Sequence, residues 1–323
     1  MLLALVRGGA VGLDAQRGAG VAGGAGVAVT GRLYHGGRSA TPLARAWVVL
    51  HEVSMGGRGG PIDSARSDAR GAYALTIARP DSDAIYVVSS RYHGIAYFSG
   101  PIRPARRTAV NVAPLTVYDT SATGPAVRVA RRVITIARPQ RDGTRDVLEL
   151  VELENPGIAT RVAPDSAHPV WAGAIPSRGI QFQVGQGDVS PQAVARTGDA
   201  VAVFAPLPPG EPKQLTYTYV LPADADRVAI PLDQPTKEVD LLVEDTTSTV
   251  AAPGVEALGV DAVERRRFAR YRVSAPVIPA QVVVTLPHGP FHVQQLVPVV
   301  VGVLALALIV GFVIALRRGP MSR

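Results

Sequence analysis

Histidines, acidic pairs and a glycine cluster are the residues of this chain whose types and spacing could do chemistry. His51-Glu52-Val53-Ser54-Met55 starts as a zinc-protease helix would, but Met55 stands where the second histidine is needed and the run reads as a strand. His288 and His292 have a finger-like spacing. Gly289-Pro290 between them prevents the helix that presents such a pair, so a juxtamembrane turn with its aromatics at the headgroups is the better reading. Asp81-Ser82-Asp83 and Asp224-Ala225-Asp226 each bring a pair of carboxylates, where calcium needs about six oxygens or more, and turn capping accounts for both. Gly18-x-Gly20-x-x-Gly23 has the spacing of a dinucleotide-binding loop with no strand before it and no amphipathic helix after it. The chain has 0 cysteines, which removes disulfides, thiolate metal sites and thiol catalysis together. It has no Gly-x-Ser-x-Gly elbow and no haem-attachment motif. Whether two carboxylates meet only in the fold stays open. The expectation is a protein without catalytic residues, metal or cofactor.

Aromatic side chains are the remaining handle. Trp47, Tyr92, Tyr97, Phe98 and Trp171 could form a platform on which sugar rings stack; core placement is the alternative, since Trp47 lies in an apolar run. Tyr217 and Tyr219 alternate with threonines and are expected to pack inward.

The formal charge of +7 invites a nucleic-acid reading. Lys213 and Lys237 are the only lysines, and the arginines alternate with acidic and apolar residues along strand-like runs rather than gathering beside stacking aromatics. Nucleic acid is therefore not expected as a partner. Arg265-Arg266-Arg267 alone looks like a patch, either solvated or in contact with a polyanion or lipid headgroup.

These residues must be positioned by short strands. Val27–Leu33, Ala46–Val53, Ala72–Ile77, Ala84–Tyr92 and Thr108–Val112 carry β-type patterns, with Gly56–Pro61 read as a loop and Ser67–Gly71 as a tight turn. Farther on, Val147–Glu154, Gly179–Val184, Gln214–Val220, Val239–Val243, Arg267–Val273 and Val282–Leu286 repeat the signal without a helical period. The fold class expected is all-β, two β-sandwich domains followed by one C-terminal transmembrane helix.

The opening Val29-Thr30-Gly31-Arg32-Leu33, the run Pro42–Leu50 and the turn Ser67-Asp68-Ala69-Arg70-Gly71-Ala72-Tyr73 carry a family resemblance. The stretch resembles the carboxypeptidase regulatory-like domain, a transthyretin (prealbumin)-like Greek-key β-sandwich, and the turn fits that family's T/S-D-x-x-G-x-F/Y pattern. There Asp68 can accept backbone N–H bonds, Gly71 can take φ > 0, and Tyr73 turns inward. The resemblance implies an accessory rather than catalytic domain. Tyr92–Ser99 and Val117–Thr120 are similar to uncharacterised bacterial membrane-anchored proteins carrying this domain.

Leu296–Leu316 holds no charged side chain and as a helix would span about 31 Å, enough for a bilayer core. Arg317 and Arg318 follow it directly, whereas no Lys or Arg lies between Arg272 and the run, so the positive-inside rule leaves a short cytoplasmic tail and puts the body outside. The N-terminus reads as a truncated signal peptide, short of a basic region before its apolar run; a tail-anchored protein with a cytoplasmic body is the rival. The expected organisation is residues 1–16 signal peptide, 17–26 Gly-rich linker, 27–120 first sandwich, 126–287 second sandwich, 296–316 transmembrane helix and 317–323 cytoplasmic tail. Expected partners are the lipid bilayer and other envelope proteins in the periplasm or outside the cell. Glycans are the alternative, and an accessory role beside a membrane enzyme or cytochrome-assembly system is more remote.

Overall fold

A computed structural model describes residues 26–54, 59–104, 108–274, 276 and 278–287. The apolar run 296–316, Arg317 and Arg318, the glycine cluster, the N-terminal signal and His288–His292 lie outside the described residues. Among the described residues the chain is all β, with one 3₁₀ turn at Pro191–Ala193. No helix among them is long and apolar enough to cross a membrane.

The chain divides into two compact units, with the main boundary between Val117 and Tyr118. The first contains β1 (Val27–His35), β2 (Thr41–Pro42), β3 (Trp47–Ser54), β4 (Gly59–Arg66), β5 (Ala72–Ile77), β6 (Ala84–Tyr92), β7 (Ile95–Phe98), β8 (Ala109–Asn111) and β9 (Leu115–Val117). β1 pairs antiparallel with β2 and β5 and parallel with β8 and β9. A second sheet has the order β4-β3-β6-β7. Each sheet buries one face, with Val27, Val29, Leu33, Leu75 and Ile77 from one and Val48, Leu50, Tyr86 and Val88 from the other. That alternation is the period-2 pattern of half-buried strands.

Gly59-Gly60-Pro61, expected in a loop, instead begins β4. Its position resolves the conflict. β4 is an edge strand, where a proline need not donate to a neighbour, and the register slips between Leu50 and His51 opposite Pro61.

The second unit contains β10 (Thr120–Ser121), β11 (Arg128–Ile136), β12 (Arg145–Glu154), β13 (Thr160–Arg161), β14 (Trp171–Ala174), β15 (Ile180–Val184), β16 (Val194–Thr197) and β17 (Ala200–Val203). It continues with β18 (Lys213–Leu221), β19 (Arg227–Pro231), β20 (Glu238–Val243), β21 (Thr249–Ala251), β22 (Glu256–Val263), β23 (Arg266–Ser274) and β24 (Gln281–Thr285). Seven strands form one sheet in the order β15-β18-β12-β11-β20-β23-β22. Two three-stranded sheets, β14-β17-β16 and β19-β24-β21, and the pair β10-β13 complete it. One core joins Ile134, Val151, Tyr217 and Leu241 of the large sheet to Val201 and Val284 of the smaller ones.

Candidate functional site

The turn at Ser67–Tyr73 has a defined geometry. Asp68 Oδ1 accepts the Arg70 and Ala72 amides, each at 2.8 Å, and Gly71 sits at φ +74°. A Cβ on Gly71 would stand 2.3 Å from the Leu33 carbonyl oxygen, so a side chain is excluded by contact as well as by backbone conformation. Tyr73 is only 5% exposed and its ring lies over Gly31, directly across the β1–β5 ladder. Burial pushes its hydroxyl up to about 12.

The five aromatics proposed as a platform separate. Tyr97 and Trp171 are buried, the latter with its ring packed against Gly173, so neither belongs to an exposed face. Tyr92 ends β6, its ring beside that of His93 at 4.3 Å between centroids and tilted 40° to it. Trp47 and Phe98 remain, 54% and 59% exposed. Trp47 already carries Arg66 over its ring at 4.8 Å. Phe98 lines an open hollow of about 310 Å³ with His51, Val53 and Val87. His51 Nε2 is 2.8 Å from Ser89 Oγ within β3–β6, and Met55, where a second zinc ligand would be needed, lies outside the described residues.

The polar chemistry of the second unit is concentrated where sequence reading found none. Glu149 on β12 is completely buried. Its Oε2 accepts Arg132 Nε at 2.7 Å and Tyr217 Oη at 2.9 Å, and its Oε1 accepts Tyr219 Oη at 2.8 Å. Arg132 also donates to the carbonyls of Pro231, at 2.8 Å, and Ala174, at 3.4 Å. Burial alone would lower the Arg132 pKa; Glu149 beside it outweighs that and holds the guanidinium above its ordinary value. Burial, then the Glu149 charge, pushes both tyrosine hydroxyls well up. Both carboxylate oxygens accept a hydrogen bond, and the cluster is a buried ion pair with two hydroxyls.

Local sequence explains how it forms. Glu149 shares the inward parity of Val147, Val151 and Leu153, and Tyr217 lies directly across from it on β18. A bulge between Val129 and Arg131 shifts the parity of β11, which turns Arg132 inward and Arg131 outward. A glutamate in the same register as three apolar residues, facing a strand with two alternating tyrosines, was the available signal for Glu149. Arg132 offered the same signal downstream, where it shares the parity of Ile134 and Ile136, but the bulge breaks that parity with Val129 upstream.

On the outer face of the same sheet Asp240 of β20 is held between Arg131 of β11 and Arg272 of β23. Its side chain is 2% exposed because the two guanidiniums cover it. Burial alone would raise its pKa, but the two arginines hold the carboxyl below its ordinary value. Glu244 takes both Nε and Nη2 of Arg266 and the Arg138 amide, which hold its carboxyl down at about 2 despite its burial. No group of three or more His, Cys, Asp or Glu among the described residues could hold a metal ion.

No family model matches the chain, and no curated protein matches it. Among solved structures it is similar to an M1 zinc metallopeptidase from Deinococcus radiodurans at 15% identity, covering 51% of this chain and 43% of that one with a TM-score of 0.32. It is also similar to the major plantain pollen allergen Pla l 1, at 18% identity over 31% of this chain and 100% of that one with a TM-score of 0.24. A 9R-lipoxygenase from Cyanothece PCC8801 matches at 10% identity over 32% of this chain and 18% of that one, with a TM-score of 0.23. The chain thus spans less than half the length of the metallopeptidase it matches. Likenesses this slight carry no argument about activity.

Proposed function

We propose that this is a non-enzymatic, membrane-anchored protein whose two β-sandwich units stand on the extracytoplasmic side of the cytoplasmic membrane, with a structural or protein-binding role at the cell envelope. One observation carries the reading: Leu296–Leu316 is an uncharged run long enough to span a bilayer, and Arg317 and Arg318 follow it on one side only. The Asp68–Gly71–Tyr73 turn supports a carboxypeptidase regulatory-like first unit, because the side chain, the left-handed glycine and the inward tyrosine all take the parts that pattern requires. The enclosure of Arg132, Glu149, Tyr217 and Tyr219 supports a role without chemistry, since these strongly paired groups contribute to the core and none is presented to a substrate.

Carbonate washing of native membranes is expected to leave the full chain in the pellet, and protease added to intact spheroplasts is expected to digest the body. Release by carbonate, or a body that survives protease, overturns the reading. A second reading, glycan binding, is favoured by the exposure of Trp47 and Phe98 on the β4-β3-β6-β7 sheet, with Phe98 lining the His51 hollow. A glycan array probed with the full chain and with Trp47→Ala and Phe98→Ala decides it; binding that neither substitution weakens, or no binding, removes that reading.

A further inference from the structure

The strand register of the second unit gathers a particular set of side chains at one end. Ile136 lies level with Val147 and Val243, Val243 with Ala269, and Ala269 with Val260. The β11–β12 loop and the β22–β23 hairpin tip therefore project from the same end of the large sheet. The chain leaves from that end too. Arg145, buried at the foot of the β11–β12 loop, donates to the Pro287 carbonyl at 2.8 Å and lies 3.5 Å from Asp245. Pro287 is the last described residue, and 288–295 separate it from the apolar run. That linker extends at most about 29 Å.

This end exposes both apolar and cationic groups. Val260 and Val263 of the β22–β23 hairpin are 46% and 52% exposed, and Ile180, level with Val220 in the adjacent register, is 45% exposed. Arg141, Arg265 and Arg267 are exposed and make no ion pair among the described residues. Several neighbouring acids are already engaged: Glu244 by Arg266, Asp224 by Arg178 and Asp245 by Arg145. Asp142, Asp146 and Glu264 also lie at this end, so its net charge is close to zero and guanidinium contact with phosphate, together with burial of the valines, has to supply the attraction. A hairpin with two exposed valines and arginines at its tip has the elements of an interfacial contact, whose apolar groups sit about 5–10 Å into the headgroup boundary.

We infer that this end of the second unit lies against the anionic headgroups of the membrane that anchors the chain, with Val260 and Val263 at the interface and Arg141, Arg265 and Arg267 on lipid phosphates. The inference rests on the anchor reading above. Arg145 acts as a clamp in this arrangement, tying the departing chain to the foot of the loop that carries Arg141.

The absence of cysteine permits a clean test on the full chain. Val263→Cys, and Ile158→Cys as a reference outside this end, each carry an environment-sensitive fluorophore in vesicles of phosphatidylcholine with phosphatidylglycerol. The reporter at 263 is expected to shift to the blue and to be quenched by headgroup nitroxides, while that at 158 stays in water. Replacing Arg141, Arg265 and Arg267 by Gln is expected to weaken docking roughly fivefold per residue without changing flotation with the vesicles. A water-exposed reporter at 263 on chains that float overturns this inference and leaves the anchor standing; chains that do not float overturn both. Shielding that is equal in pure phosphatidylcholine and rises with protein-to-lipid ratio shows a second copy on this surface, which also overturns it.

Discussion

Arg131 and Arg132 are adjacent in one strand and end on opposite faces of one sheet, each against a carboxylate with almost no exposure. Inside, Arg132 and Glu149 are walled in by two tyrosines and two backbone carbonyls. Outside, Asp240 is held between Arg131 and Arg272, whose side chains are 43% and 32% exposed. The chemistry is the same and the surroundings differ. The inner pair has lost its water and depends on every partner; the outer cluster keeps solvent at its cations and can replace a lost contact with hydration. The difference predicts that burial of the whole cluster, rather than the number of ion pairs, sets what each is worth.

The comparison breaks most visibly at Glu149. Glu149→Ala leaves Arg132 buried and uncompensated and is expected to cost about 3–5 kcal/mol, read as a lower denaturation midpoint of the full chain in detergent. Replacing both together, Arg132→Met with Glu149→Leu, is expected to recover the part of that loss due to the stranded charge, while the Tyr217 and Tyr219 hydroxyls stay without their acceptor. If the double variant is as unstable as the single one, the stranded charge is not the cause. On the outer face, Asp240→Asn removes charge-assisted bonds from two cations that can still reach water. The expected cost is about 1.5–3 kcal/mol, below that of Glu149→Ala in the same denaturation series.

Acid sharpens the contrast. Glu244 holds its proton less tightly folded, at about 2, than unfolded, at 4.5. Between those values the unfolded chain binds more protons, so the stability this group contributes is fully present above about pH 4.5 and is lost as pH falls toward 2. Glu244→Gln is expected to flatten the stability profile in that window and leave it unchanged near neutrality apart from a constant offset. The smallest effect belongs to Lys237 and Glu154, a pair on the rim with side chains 53% and 26% exposed. Lys237→Met is expected to change stability by less than about 1 kcal/mol, and the change is expected to vanish in high salt.

Much of the fold was legible because strands with one buried face write their period into the chain. β5, β18 and β20 fall within one or two residues of their expected limits, and the Ser67–Gly71 turn is announced by an aspartate and a glycine that satisfy local backbone needs. The failures share a cause. β4 runs through Gly59-Gly60-Pro61, which locally favour a loop, because β3 supplies a partner along one edge. Tyr97 and Trp171 could not be sorted from Trp47 and Phe98 by type, since all are apolar rings with a plausible place inside or out. Arg132 was obscured because a one-residue bulge breaks its parity with Val129, although it stays in register with Ile134 and Ile136 beyond it.

By itself the sequence determined an all-β body, its turn at Asp68–Gly71, the absence of thiol chemistry, and the apolar run with its one-sided arginines. Those are properties of neighbours along the chain, set by side-chain size, backbone freedom and charge within a few residues. Only the tertiary structure decided that Glu149 would meet Arg132 and two tyrosines, and that Asp240 would be capped by arginines from two other strands. It alone also brought Arg141, Arg265 and the departing chain to one end of a sheet. Such meetings depend on register between distant strands, which a bulge alters by one residue and composition does not record.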